Sequence, residues 1–250
     1  MSKVVGIIPA RWGSTRFPGK PLYPIAGKPL LRHVSERSRR ARRLDTVIIA
    51  TDDMRIAEAA FSWGADVSLT STKHRSGTDR IAEVAAKAKD FAYIINIQGD
   101  EPLIDPRLIN RLVRELKNDS DLEMVTAAHP FGNPTEAVSP HQVKVVLDGQ
   151  NNAVRFSRAL PAGGKYFRHQ GIYGYTRDLL LRFVKWKPTA SEHAESLEQL
   201  RALENRVRIR VFVTASGSPG VDTPEDAEAI ERQLLSARRR TARKKRSGKR

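Results

Sequence analysis

The sequence contains no cysteine. That excludes disulfides, thiolate metal sites and a cysteine nucleophile, and it fits a cytoplasmic protein. It has no apolar run near the roughly 18 residues that a membrane-spanning helix needs. The first residues, MSKVVGIIPA, lack the basic start, long apolar stretch and small-residue cleavage site of a secretory signal. Aromatic residues make up only 6% of the chain, and no recognised nucleic-acid motif is present. No internal repeat is visible.

What is there is enough for a substantial core. The 250 residues are 40% hydrophobic, sufficient for one α/β domain or two small ones. The net charge is +16, but nine of the cations lie in the last fifteen residues, SARRRTARKKRSGKR, which carry no acid. Residues 1–235 are therefore only moderately basic, at +7. Low hydrophobicity and like-charge repulsion predict that residues 236–250 are disordered.

Hydrophobic patterning predicts the class. KVVGIIP (3–9), TVIIAT (46–51) and FAYIINIQ (91–98) are short apolar runs of the kind found in buried parallel strands, with ADVSLT (65–70) as a shorter one. Helical segments alternate with them. Pro29 opens the first, Asp52 or Asp53 caps the second, SGTDRIAEVAAKA (76–88) is the third and Asp105-Pro106 starts the fourth. This alternation predicts an α/β fold: a doubly wound, mostly parallel, Rossmann-like sheet. After about residue 122, several strand-like stretches separated by turn residues predict an antiparallel extension. One domain over 1–235, with a lobe inserted at about 123–176, accounts for the pattern.

Ligands of such sheets bind at the carboxyl ends of the strands. The loop after the first strand lies there. In IIPARWGSTRFPGKPL (7–22) the connection runs from about residue 10 to 26, far beyond the usual 2–6 residues. It is not a Walker A loop, because five residues separate Gly13 from Gly19 and Lys20 is followed by proline. G-x-G-x-x-G is also absent. The small residues Ala10, Gly13, Ser14 and Gly19 let backbone N–H groups approach an anion, and Arg11, Arg16 and Lys20 supply charge around it. The loop is either a phosphate cradle or a solvated basic segment.

Two acids stand out. Asp100 follows the buried strand IINIQG at its carboxyl end, after Gly99, which permits an unusual backbone angle. Asp222 precedes the last helix. Each is either a magnesium ligand or a local partner, Asp100 of its turn and Asp222 of the helix cap. Glu101 reads as turn stabilisation and Asp105 as a cap.

PARWGSTRFPGKPL resembles the signature loop of the cytidylyltransferases that activate acidic sugars, above all the 3-deoxy-manno-octulosonate (Kdo) cytidylyltransferases. ATDD (50–53), TSTKHRSGTDRIAEV (70–84), NIQGDEPLI (96–104), VKVVLD (143–148), FSR (156–158), RHQGIYGY (168–175), ESLEQLRALEN (195–205) and PGVDTPED (219–226) are similar to that family in the same order. The likeness reaches about residue 235 and omits the basic end. It implies a nucleotidyltransferase fold and transfer of a cytidylyl group from CTP to the anomeric hydroxyl of Kdo, releasing pyrophosphate for lipopolysaccharide synthesis. It implies nucleotide contacts from Pro9, Ala10, Arg11, Ser14, Arg16, Lys20, Ser76, Gly77, Thr78 and Arg80. Sugar contacts fall to Gln98, Arg158, His169, Tyr173, Glu198 and Gln199. Asp100 and Asp222 hold Mg²⁺, and Arg11, Lys20 and Asp100 are the catalytic groups. A homodimer is expected. Read from the residues alone, Arg158 is a surface residue, His169 an ordinary strand histidine, and Glu198 and Gln199 a solvated helix face. A cytidylyltransferase for 8-amino-Kdo or sialic acid is the alternative enzyme. A nucleic-acid-binding protein is the alternative class, and the basic end could also touch polyanions weakly.

Overall fold

The protein is described by a computed structural model covering residues 2–13, 17–161 and 165–247, with side chains to 237. In chain order its elements begin with β1 (Lys3–Ala10), the small ribbon β2 (Pro24–Ile25) and β3 (Lys28–Pro29), α1 (Leu30–Ser38), β4 (Thr46–Thr51), α2 (Met54–Ser62), β5 (Asp66–Leu69), α3 (Gly77–Lys87), β6 (Phe91–Asn96) and α4 (Pro106–Asn118). The second half adds β7 (Met124–His129), α5 (Pro134–Val138), β8 (Lys144–Leu147), β9 (Ala153–Ser157), β10 (Tyr166–Thr176), α6 (Arg177–Phe183), α7 (Ala190–Glu195), α8 (Gln199–Glu204), β11 (Ile209–Val213) and α9 (Pro224–Ser247).

The main sheet runs β11-β7-β10-β6-β1-β4-β5. β1 pairs in parallel with β4 and β6, β4 with β5, and β7 with β11. β10 is the exception, antiparallel to both β6 and β7. The segment expected as an inserted lobe thus supplies β7 and β10 to the middle of the main sheet. Only the antiparallel pair β8–β9 leaves that path, joined through β10.

β1 shows why its sequence is nearly all apolar. Val4 and Ile8 enter one core with Leu31, Val34, Ile109 and Ile230, while Val5 and Ile7 enter the other with Ile81, Val84, Leu179 and Leu200. A strand covered on both faces needs apolar side chains in both phases of its two-residue repeat. Helix starts follow local capping chemistry. Asp53, not Asp52, caps α2 by accepting from Arg55 N at 3.0 Å; Ser76 caps α3 and Asp105 caps α4.

The end of the chain differs from expectation. α9 continues to Ser247 through residues expected to be disordered. Alanine, arginine and lysine are strong helix formers, and the helix is already nucleated where Ala227 and Ile230 join the core. Propagation adds one hydrogen bond per residue, so an anchored helix extends more readily than an isolated peptide folds.

Among the described residues, one ion pair joins two buried residues. Arg201 Nε donates to Glu192 Oε2 at 2.7 Å, and both residues are 7% exposed. Arg201→Met strands a buried carboxylate and should cost about 3–5 kcal/mol in urea unfolding. Adding Glu192→Leu should restore most of that loss. An Arg201→Met protein as stable as the parent would show that Glu192 finds water.

Candidate active site

The sheet order creates the site. From β1 the chain builds β4 and β5 on one side, then returns to place β6 on the other. The loops leaving β1 and β6 therefore diverge around a crevice at the carboxyl ends of the strands. They also touch. A Cβ on Gly99 would lie 2.9 Å from the carbonyl oxygen of Pro9, so only glycine allows the two loops this approach. Gly99 is thus required for closeness, not for the unusual backbone angle expected of it. The left-handed backbone falls at Gly19 instead (φ 72°), whose N–H donates to Trp12 O at 3.2 Å and closes the loop before Lys20.

Lys20 is where distant parts of the chain meet. Its Nζ donates to Asp100 Oδ2 at 2.8 Å and to Val221 O at 2.7 Å, and lies 3.6 Å from Asp222 Oδ1. Val221 N donates to Asp100 O at 2.9 Å, tying the two acid-bearing loops together. Capping of α9 falls to other groups: Asp226 Oδ2 accepts from the N–H groups of Asp222 and Thr223, and Thr223 Oγ1 accepts from Asp226 N. The Asp222 carboxylate is directed to Lys20. Likewise the Asp100 carboxylate faces Lys20 rather than its own turn. The carboxylates keep 33% and 56% exposure, against 15% for the Lys20 side chain, so both acids remain open to a ligand.

Beside this cluster lies a cleft of about 340 Å³. Pro9, Ala10, Arg11 and Lys20 line it from the first loop, Ser76, Gly77 and Arg80 from α3, and Gln98, Asp100 and Asp222 from the far side. The start of α3 is pressed against β1, with a Cβ on Gly77 only 3.3 Å from Pro9 Cγ. Ser76 Oγ is engaged by Asp79 N, and the first N–H groups of a helix have no partner within it. Arg80 lines the cleft, but its buried guanidinium donates to Asp52 Oδ2 at 2.8 Å and to Thr70. Its charge is therefore partly offset by the protein, and these bonds tie α3 to the ends of β4 and β5. Ser14 and Arg16 lie outside the described residues. His74 and Arg75 also line the cleft and were not singled out from sequence; the signal was their place just before the Ser76 cap.

The groups expected around the sugar divide in two. Gln98 Nε2 donates to Gly171 O at 2.8 Å, at the irregularity in β10 between Gln170 and Tyr173. His169 and Tyr173 stand side by side on β10, with ring centroids 5.4 Å apart. Thr78 donates to Glu198, joining the start of α3 to the start of α8. Thr78 is thus turned to Glu198 and is not among the residues that line the cleft. Arg158 is instead anchored on β9 and α7: its Nε donates to Glu195 O at 2.7 Å and its backbone N–H to Glu195 Oε2 at 2.8 Å. Gln199 is buried, not part of a solvated face.

The comparisons with known proteins agree with this geometry. Residues 5–209 match the family model described as Cytidylyltransferase. The chain is 50% identical to the 3-deoxy-manno-octulosonate cytidylyltransferase of Solibacter usitatus over 237 residues, covering 92% of this chain and 94% of the relative. The chain belongs to the 3-deoxy-manno-octulosonate cytidylyltransferase family. The relative of that name from Geobacter sulfurreducens is 46% identical over 248 residues, 92% of this chain and 99% of its own. Among solved structures, a CMP:2-keto-3-deoxy-manno-octonic acid synthetase complexed with CTP superposes with a TM-score of 0.91 at 40% identity, covering 94% of this chain and 100% of that one. A 4-diphosphocytidyl-2C-methyl-D-erythritol synthase from Anaerococcus prevotii, at 14% identity and a TM-score of 0.65, shares the fold.

Two buried groups and one half-buried ring give this family member's site a character its sequence conceals. Glu101 does not stabilise its turn through its side chain. It is buried, accepts from Gln170 Nε2 at 2.8 Å, and burial pushes its carboxyl up to about 8. Lys144 is wholly enclosed and donates to Ser139 O and Arg158 O, fixing the end of β9. His169 is half-buried, with Nε2 2.9 Å from Thr126 Oγ1, and its desolvation pushes the pKa down to about 3. It is therefore a neutral hydrogen-bonding group at physiological pH.

The His169 shift has a sign that can be measured. An unfolded histidine binds a proton below about pH 6.5, while the folded one resists until about pH 3. Stability from this group is present above the unfolded value and is lost as pH falls through that window. His169→Gln should flatten the acid limb of a stability–pH curve between about pH 6.5 and 4. An unchanged slope would mean that the ring is hydrated.

Proposed function

We propose that this protein transfers the cytidylyl group of CTP to the anomeric hydroxyl of Kdo, releasing pyrophosphate. The single observation that carries the reading is the convergence of Lys20, Asp100 and Asp222, from three separate loops, on the rim of the cleft. In this reaction the sugar oxygen forms a bond to the α-phosphorus as the bond to the β-phosphate oxygen breaks. The sugar hydroxyl proton leaves to solvent or a phosphate oxygen. No covalent enzyme intermediate is needed, so the work is positioning and charge stabilisation.

The residues divide that work. Arg11 and Lys20 neutralise the triphosphate, with Ser14 and Arg16 of the same loop. Free N–H groups at the start of α3, around Ser76 and Gly77, meet the acceptors of the cytosine ring, with Pro9 and Ala10 packed beside it. Gln98, neutral His169, Tyr173 and Glu198 offer the sugar hydroxyls both donors and acceptors. Gln199 and Arg158 hold the outer wall of that pocket. The donor set of Asp100 and Asp222 fits Mg²⁺: two hard carboxylates already gathered about one cation leave most of an octahedral shell to water and substrate oxygens. Such an ion, when bound, supplies further charge stabilisation at the α-phosphate.

We also assign the enzyme to the cytoplasm, where CTP is made, and to lipopolysaccharide synthesis. Among the described residues no helix is long and apolar enough to cross a membrane. We also propose a homodimer, in which the exposed apolar side chains Val138, Val154 and Leu160 of the second half would contribute to the interface.

The test is pyrophosphate release with CTP, UTP and ATP against a panel of 2-keto acid sugars, with and without Mg²⁺. CTP with Kdo should give turnover that a chelator abolishes. Consumption of sialic acid alone would overturn the choice of sugar. Turnover undiminished by chelation would overturn the metal assignment.

A further inference from the structure

The residues proposed above for the transfer reaction all precede the basic end of the chain. Residues 236–250 carry six arginines and three lysines, no acid, and no apolar side chain larger than alanine. Two of the relatives leave almost none of their own length unmatched. The Geobacter sulfurreducens protein is matched over 99% of its length by 92% of this chain, and the CTP-complexed synthetase over 100% by 94%. The remainder of this chain is close to the length of the basic run. α9 joins that run to the folded enzyme: Ala227, Ile230 and Leu234 pack on the core, and the helix continues to Ser247.

We propose that this extension is a sequence-independent binding site for the phosphate backbone of nucleic acid. In a helix turning 100° per residue, the cationic positions between 238 and 246 fall on every side of the axis. A nucleic-acid groove has phosphates on both walls and engages such a helix from two sides. A lipid surface engages one side only and holds it by an apolar face, which this sequence does not contain. The excess of arginine points the same way, because its planar fork pairs with two phosphate oxygens at once. The site is separate from the cleft, so it stands or falls independently of the reaction proposed above.

Fluorescence anisotropy of the full chain with labelled duplexes of about 20 base pairs tests the proposal, one of RNA and one of DNA. With six or more phosphates contacted, affinity should fall by about a thousandfold between 50 and 200 mM salt. The RNA and DNA arms show which source of phosphate is preferred. A variant with the nine terminal cations changed to glutamine keeps the chain length; it should bind at least a hundredfold more weakly and transfer cytidylyl groups at the parental rate. Equal binding by parent and variant, or an affinity insensitive to salt, overturns the proposal. So does tighter binding to vesicles of phosphatidylserine and phosphatidylcholine than to either duplex, which would assign the extension to membranes. Loss of cytidylyl transfer in the glutamine variant also overturns it, by placing the extension in the catalytic fold.

Discussion

Asp100→Asn should lower turnover at saturating CTP by about 10³-fold, the scale of removing one preorganised charge from a reacting phosphate. The substitution keeps shape and hydrogen bonding but removes the negative charge that faces Lys20 Nζ at 2.8 Å. Stability should change little. The carboxylate is one-third exposed, and a pair that solvent reaches contributes on the order of 1 kcal/mol or less. Loss of turnover with an unfolding midpoint near that of the parent is therefore the expected combination. Asp222→Asn should act in the same direction but less strongly, because its oxygen is farther from Lys20 at 3.6 Å and its side chain is more exposed. Full turnover in both variants would remove these two acids from the chemistry. A collapse in stability with proportional loss of activity would instead assign Asp100 to the fold.

Lys20→Met should give two effects of opposite sign. Turnover with CTP should fall by about 10²–10³-fold, because a charge placed for the triphosphate is gone. Affinity for Mg²⁺ in the absence of nucleotide should rise. In the substrate-free protein Lys20 is the cation between Asp100 and Asp222; without it, two carboxylates of like charge face each other and favour a divalent ion. Thermal shift on adding Mg²⁺ reads this directly, since a ligand that binds only the folded state raises its stability with concentration. The shift should be larger in Lys20→Met than in the parent. An equal or smaller shift would mean that Lys20 does not compete for the acids, and that the ion sits elsewhere. Lys20 also donates to Val221 O, so some loss of stability without metal is expected, and recovery on adding Mg²⁺ distinguishes the two contributions.

The likeness to Kdo cytidylyltransferases was carried by short runs, and each run also made local physical sense. SGTDR reads as a helix start, and Ser76 does cap α3. GVDTPED reads as another, and Thr223 and Asp226 satisfy its first N–H groups. Arg80 shows where such reading stops. Its position in the motif marks it as a nucleotide contact and it does line the cleft, but that Asp52, 28 positions away, also holds its guanidinium is not legible there. Glu101 is a second case. Beside Asp100 it reads as turn stabilisation, but β10 folds over it and leaves it buried against Gln170. In both, the deciding partner comes from another strand or its end loop, which no local pattern can name.

From residues alone followed the α/β class, the parallel strands around β1, the helix caps and the exceptional nature of the first loop. These depend on the periodicity of side chains and on hydrogen bonds between near neighbours, which the chain specifies over a few residues. Tertiary structure alone decided that β10 enters the sheet antiparallel between β6 and β7, that Gly99 must be glycine because Pro9 lies against it, and that Lys20 meets Asp100 and Asp222. Those outcomes depend on strand order. Contacts that span 80 and 201 positions exist only after the sheet has brought its loops to one edge.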